Sequence, residues 1–184
     1  MLDRIGAAGR GTSIDVAMFY LTQRDVIEAL TAAARRGANV RVLLDPNKDA
    51  FGYEKSGLPN RPMVSELLTA SDGAVRVRWY RTHGEQFHVK LVAIRDEREL
   101  WLTLGSANLT RRNLSDYNLE ANLAVETPAT GALAREVQQW FDALWNNRGA
   151  QGIEYTADAE TYADPSQGRF WLYRLMEGSG LSTF

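Results

Sequence analysis

The segment EQFHVKLVAIRDERELWLTLGSANLT, residues 85–110, gathers side chains suited to phosphoryl chemistry. His88 and Lys90 lie two apart, and so do Ser106 and Asn108. On a β-strand, residues spaced in this way share a face. Lysine, serine and asparagine supply donors to the non-bridging oxygens of a phosphate. An imidazole can attack phosphorus or carry a proton. If residues 85–95 and 100–108 are two strands, DERE is the polar turn of a hairpin. A register in which paired numbers sum to about 196 sets His88 opposite Asn108 and Lys90 opposite Ser106 on one face. A sum of about 194 keeps that face, and an odd sum breaks it. A histidine used this way needs its second nitrogen held by an acceptor. Glu120, on the next predicted strand, is the acidic candidate for that role. Each half also has a simpler reading. A lone histidine on an amphipathic strand can be a hydrogen-bonded filler, and Gly-Ser-x-Asn-Leu-Thr can be a turn that caps a helix.

These groups must be positioned by the elements around them. SIDVAMFYL (13–21) is an apolar run rich in β-formers and reads as a buried strand. In the following segment Val26, Ile27, Leu30, Ala33 and Ala34 recur at helical spacing, with Gly37 as the stop. NVRVLLD is a second strand, so the opening reads as a strand–helix–strand crossover with parallel strands. PNKDAFGYEKSGLPNRP is a long loop at the carboxyl end of that strand, the edge where ligands bind in open α/β sheets. It reads as a lid or substrate wall carrying Phe51 and Tyr53, or as a solvated connector. A short helix (MVSELLTAS), an alternating strand (AVRVRWYRT), the hairpin and a further strand (NLEANLAVE) follow. An amphipathic helix over TGALAREVQQWFDALWNNRG puts Leu133, Val137, Trp140, Phe141 and Leu144 on one face and stops at Gly149. Residues 150–184 add a polar approach and one aromatic helix. The expected organisation is a catalytic lobe over 1–149 and a C-terminal extension over 150–184 that packs on it.

Composition bounds the chemistry. The 184 residues include no cysteine, which excludes disulfides, thiolate metal sites and a thiol nucleophile. Two histidines and scattered carboxylates form no recognisable metal-ligand set, so no metal or other cofactor is expected. The net charge of −2 gives no global basic field for nucleic acid. The start lacks a signal-peptide apolar region and the sequence has no eighteen-residue apolar run, so the chain as given reads as soluble, with its compartment undetermined and membrane association through the substrate left open. The first strand begins about a dozen residues in, which leaves room for the chain to be a fragment of a longer polypeptide.

HVK followed by GSANLT resembles the signature H-x-K-x4-D-x6-G-S-x-N of the phospholipase D superfamily. The opening SIDVAMFYLT…VIEALTAAARRGANVRVLLDPN is similar to the first half of one lobe of that family. RRNLSDYNLEANLAVE and FWLYRLMEGSGLSTF resemble bacterial members with two motif copies, and this chain is most similar to their C-terminal, cardiolipin synthase-like lobe. The resemblance implies an α/β fold, an α/β/α sandwich around a central mixed β-sheet. It implies that His88 is the nucleophile that becomes phosphohistidine or the general acid. Lys90 and Asn108 then bind phosphate oxygens, Ser106 assists and Glu120 orients the imidazole. Tyr20, His83 and Arg111 are expected around the substrate. The signature Asp falls at Arg95, and Asp96 is displaced by one, as an enlarged hairpin turn would produce.

In that family two motif copies face each other, one histidine attacking phosphorus while the other protonates the leaving oxygen. This chain carries one copy. His83 lies five residues before His88, and strand parity sends it to the other face. The second lobe must then come from a homodimer, in which a twofold axis duplicates whatever lies on it. Otherwise it comes from a missing N-terminal half, the reading favoured by the two-motif look of the C-terminal segment. The expected substrate is a phospholipid or another phosphodiester. The alternatives are a metal-independent nuclease, with Arg76, Arg78, Arg81, Arg111 and Arg112 forming a local basic groove, and an isolated lobe without activity.

Overall fold

The computed structural model describes residues 1–50, 53–115, 117–148 and 152–179. Helix α1 (Leu2–Ala7) precedes β1 (Ser13–Met18), α2 (Arg24–Arg35) and β2 (Asn39–Leu44). Gly37 takes φ +93° just past α2, a left-handed stop that glycine adopts without steric cost. The long loop carries a two-stranded ribbon, β3 (Asp49–Ala50) and β4 (Tyr53–Glu54), and leads into α3 (Asn60–Ala70). Then come β5 (Arg76–Tyr80), β6 (Lys90–Arg95), β7 (Glu99–Gly105), α4 (Arg111–Leu114), β8 (Asn122–Pro128) and α5 (Ala132–Trp145). The last elements are β9 (Thr156–Asp158), a 3₁₀ turn (Ala159–Tyr162) and α6 (Gln167–Ser179). Phe51 and Gly149 lie outside the described residues.

One seven-stranded mixed sheet runs in the order β8-β7-β6-β1-β2-β5-β9. β1, β2 and β5 are parallel, and the remaining pairings are antiparallel, including β5 with β9. This is the mixed α/β architecture expected from the sequence. Strand alternation divides the core. Ile14, Val16 and Met18 of β1 join Val26, Ile27 and Leu30 of α2 and Met63 and Leu67 of α3 in one large apolar cluster. Ala17 and Leu43 point the other way, against Phe141 and Trp145 of α5. On that side Arg41 lies under the rings of Phe141 (4.7 Å) and Trp145 (5.5 Å) and is paired with Asp15 and Asp142, each at 2.6 Å. Among the described residues no helix is long and apolar enough to cross a membrane.

Two expectations need correction. The hairpin register is odd: Leu91 pairs with Leu104 and every other β6–β7 pair also sums to 195. Lys90 and Ser106 therefore do not oppose each other on one hairpin face. Regular pairing ends with Leu91 and Leu104, and His88 lies ahead of β6, outside the ladder. Along α5, Ala134, Phe141 and Trp145 are buried, while Leu133 and Trp140 each remain 37% exposed. The small Ala134 lets the helix sit close on Ala93, Leu100 and Leu102, and the Arg41 ion cluster fills space that an apolar stripe would otherwise cover.

Candidate active site

The two motif arms meet at the segment that leaves β1. The Phe19 N–H donates to the Val89 carbonyl (2.9 Å), which ties this segment to the His-x-Lys arm. The Phe19 ring lies 4.8 Å from the His88 ring, and the Lys90 ammonium lies 5.3 Å from the same Phe19 ring. On the other arm Asn108 Oδ1 accepts from the Tyr20 N–H (3.3 Å), and the Leu109 N–H donates to the Tyr20 carbonyl (3.0 Å). Convergence is thus achieved through Phe19–Tyr20, although the hairpin face expected to do it does not.

Lys90 is 8% exposed, and burial lowers its pKa to about 8 against the opposing influence of Glu120. Its ammonium donates to the His88 carbonyl at 3.2 Å. His88 is more open, and burial, helped by the Lys90 charge, lowers its pKa below the usual histidine value. Both shifts favour the neutral form, which for an imidazole is the nucleophilic one.

The second arm is held by β8. Gly105 closes β7 opposite Asn122, and a Cβ there would run into Asn122 Oδ1 and the Ala121 carbonyl. Only glycine permits that approach. Asn122 Oδ1 accepts from the Ala107 N–H at 3.2 Å. Ser106 Oγ donates to Glu120 Oε2 at 2.5 Å and accepts from the Ala121 N–H at 3.0 Å. Asn113 donates to the other Glu120 oxygen. Glu120 therefore holds the Ser106 arm, and among the described residues it makes no hydrogen bond to His88; its expected role as the imidazole's anchor is not what this chain displays. The helix-capping alternative also has a counterpart, since Thr110 Oγ1 accepts from the Asn113 N–H as α4 begins (3.4 Å).

The remaining candidates are dispersed. Tyr20 is at the junction, with its hydroxyl pKa raised by burial and then by Asp45. His83 lies outside any strand and is exposed, with its backbone N–H bonded to Glu85 (2.8 Å). Arg111 is drawn to the end of α6, with its N–H on Glu177 (2.9 Å) and its guanidinium on the Gly178 carbonyl (2.5 Å). Asp96 shapes the hairpin turn by accepting from the Arg98 (2.7 Å) and Glu99 (2.9 Å) N–H groups, at the opposite end of β6 from Lys90. Among the described residues no group of three or more His, Asp and Glu could hold a metal.

Sequence reasoning missed Phe19, Asn113 and Asn122. An aromatic residue inside an apolar run reads as core. Asn113 carried a weak signal in its capping distance from Thr110. Asn122 carried one as a polar residue at the head of a strand. A groove of about 480 Å³ runs from His88 and Lys90 along Leu91, Leu104, Leu133 and Trp140, between the hairpin and α5.

A mixed sheet with a His-x-Lys arm and a Gly-Ser-x-Asn arm meeting at one strand end defines a class. The chain belongs to the phospholipase D-like family, its residues 1–145 matching the family described as "Cardiolipin synthase, PLD-like domain". Among curated relatives, cardiolipin synthase A of Cronobacter sakazakii is 30% identical over 131 residues, covering 71% of this chain and 24% of that protein. The chain thus spans about a quarter of that relative's length. Among solved structures, Nuc of Salmonella typhimurium, a phospholipase D family member, is similar at a TM-score of 0.59 and 21% identity, with 85% of this chain and 86% of that chain covered. Phosphatidylserine synthase of Haemophilus influenzae is similar at 0.60 and 16% identity, with 98% and 42% covered. These two likenesses concern the fold. Phosphodiester chemistry is supported at the level of the superfamily.

Proposed function

We propose that this chain is a phosphodiesterase or phosphatidyltransferase of phospholipase D type, with His88 forming a phosphohistidine. The observation that carries this reading is the meeting of His88, Lys90 and Asn108 at Phe19–Tyr20. In the proposed reaction an imidazole nitrogen of His88 attacks phosphorus and the bond to the leaving oxygen breaks, that oxygen taking a proton from the histidine of a second motif copy. Water or an alcohol then gives up its proton to that second histidine and attacks phosphorus, and the phosphorus–nitrogen bond breaks. Lys90 and Asn108 hold the non-bridging oxygens, with Ser106 and Glu120 setting the arm beside them. Residues 1–149 carry the site in this reading, and 150–184 complete the lobe.

A phospholipid is the favoured substrate class. The groove leading away from His88 is lined mainly by apolar side chains, with Glu136 on its wall, a poor path for a polyanion. The proposed basic groove is largely engaged elsewhere: Arg78 pairs with Asp158 (2.7 Å), Arg81 with Glu154 (3.0 Å), and Arg76 bonds Asn39. The second copy comes from a dimer partner or from the remainder of a longer chain. The test is head-group release or transfer from phospholipid vesicles by the assembled protein. Activity is expected in the native protein and loss of at least a thousandfold in His88→Ala, on the order expected when a nucleophile is removed. Equal activity in both sinks the reading. Plasmid cleavage in EDTA, abolished by Lys90→Ala, would favour the nuclease instead.

A further inference from the structure

Asp45, at the carboxyl end of β2, is 0% exposed, and its two oxygens accept hydrogen bonds from different segments. One takes the Phe87 N–H at 2.6 Å, a single residue before His88. The other takes the Asn47 N–H at 2.6 Å and the Asn47 side-chain amide at 3.3 Å. Asn60, equally buried, donates to the carbonyls of Phe19 (2.7 Å) and Asp45 (2.8 Å), and its own oxygen accepts from the Leu21 N–H (3.1 Å). Asn47 closes the set by accepting from the Asn60 N–H at 3.1 Å and reaching the Phe19 carbonyl at 3.4 Å. Phe87 is fixed from its other end by stacking on Tyr80, with centroids 4.5 Å apart.

Among the described residues Asp45 has no cationic partner; a carboxylate buried in this way is costly, and stability alone favours apolar packing at such a place. What this cluster joins is specific. Through Phe87 it holds the arm that carries His88, and through Phe19–Leu21 it holds the segment on which Asn108 and Lys90 rest. We propose that Asp45, with Asn47 and Asn60, is a positioning cluster that fixes the His88 arm relative to the Asn108 arm. Its effect on turnover rests on the phosphodiester reading above; its effect on geometry does not.

With two histidines in the chain, proton NMR resolves both imidazoles, and His83→Gln assigns them. The Phe19 ring 4.8 Å from His88 displaces the His88 resonances from those of a free imidazole. Asp45→Asn preserves size but removes one acceptor, so either the Phe87 or the Asn47 N–H loses its partner. The expected result is a His88 resonance shifted toward the free position with His83 unmoved. Turnover of bis(p-nitrophenyl) phosphate should fall about ten- to a hundredfold in kcat, with KM changed less than about twofold. Asn47→Ala should act in the same direction, whereas Leu30→Ala, a remote core change, should lower stability with the His88 resonance and kcat per folded molecule unchanged. Folded Asp45→Asn and Asn47→Ala proteins with a native His88 resonance overturn the proposal. So does failure of both to fold when Leu30→Ala folds, because the cluster then supports the whole fold. The expected NMR shift in a native protein without turnover sinks the functional reading and leaves the cluster standing.

Discussion

At the scale of single residues, the lowered pKa values of Lys90 and His88 make pH the most direct probe. Burial brings the Lys90 ammonium to about 8, and a phosphate needs it charged. In the proposed reaction the attacking His88, which is shifted below its ordinary value, must be neutral. The kcat/KM profile for that reaction is expected to rise as the attacking His88 loses its proton, below the usual histidine range. It should fall as the second motif's histidine loses the proton it must give to the leaving oxygen, and fall further through about 8 as Lys90 loses its own. Bound phosphate restores charge to Lys90, so the alkaline limb of kcat should lie at higher pH than that of kcat/KM. A profile flat from pH 6 to 10 contradicts this. The same shift has a stability consequence. Because the folded pKa lies below the ordinary 10.5, burial of the charged lysine costs stability at neutral pH, and the cost is relieved as pH rises from about 8 toward 10.5. Lys90→Met should remove it, raising stability in urea by about 2 kcal/mol at pH 7 while abolishing turnover.

At the scale of elements, the β7–β8 ladder is what holds the Gly-Ser-x-Asn arm. Gly105→Ala places a methyl group against the Asn122 side chain and the Ala121 carbonyl, so β8 must shift and carry Glu120 with it. A loss of about 2–4 kcal/mol is expected in urea unfolding, with activity reduced beyond the loss of folded protein. Much of this level was legible in the sequence. The crossover β1–α2–β2, the hairpin, β8 and α5 follow from period and punctuation, because each is long enough for a pattern to show. The hairpin register was not, since parity depends on where Asp96 folds the turn, and a shift of one residue leaves the sequence pattern plausible. β9 is three residues long and takes its place through pairing with β5, while α1 follows too few residues to display a face. At the site, the residue types of both arms were readable and Tyr20 was expected near the substrate, but Phe19, the other half of their shared support, was hidden inside an apolar run. Glu120 was readable as a participant and not in its partners, which depend on how β8 meets β7.

At the scale of the whole molecule, one lobe offers one His88, and the chemistry proposed requires two histidines. If a twofold partner supplies the second, turnover per chain should rise with protein concentration and level off as dimer forms, in step with sedimentation measurements. Turnover per chain constant from a strictly monomeric solution argues against that requirement. The C-terminal helix belongs to the same body: Tyr173 is buried and its hydroxyl donates to Glu66 of α3. Tyr173→Ala should cost about 3–5 kcal/mol of unfolding free energy, as for a large core aromatic.

The two sides of the sheet are unequal in what binds them. α2 and α3 are welded to it by a continuous apolar cluster, whereas α5 is joined through smaller apolar contacts and the ionic seam around Arg41. Helices held in the second way open before the global transition. Amide exchange in α5 should therefore outpace that of β1 and β2 by orders of magnitude. One wall of the groove beside His88 is made of this helix, so the His88 end, where the proposed reaction takes place, would stay fixed as an anvil while the far wall breathes. Groups of different bulk attached to one phosphodiester could then be accepted without disturbing the atoms that react.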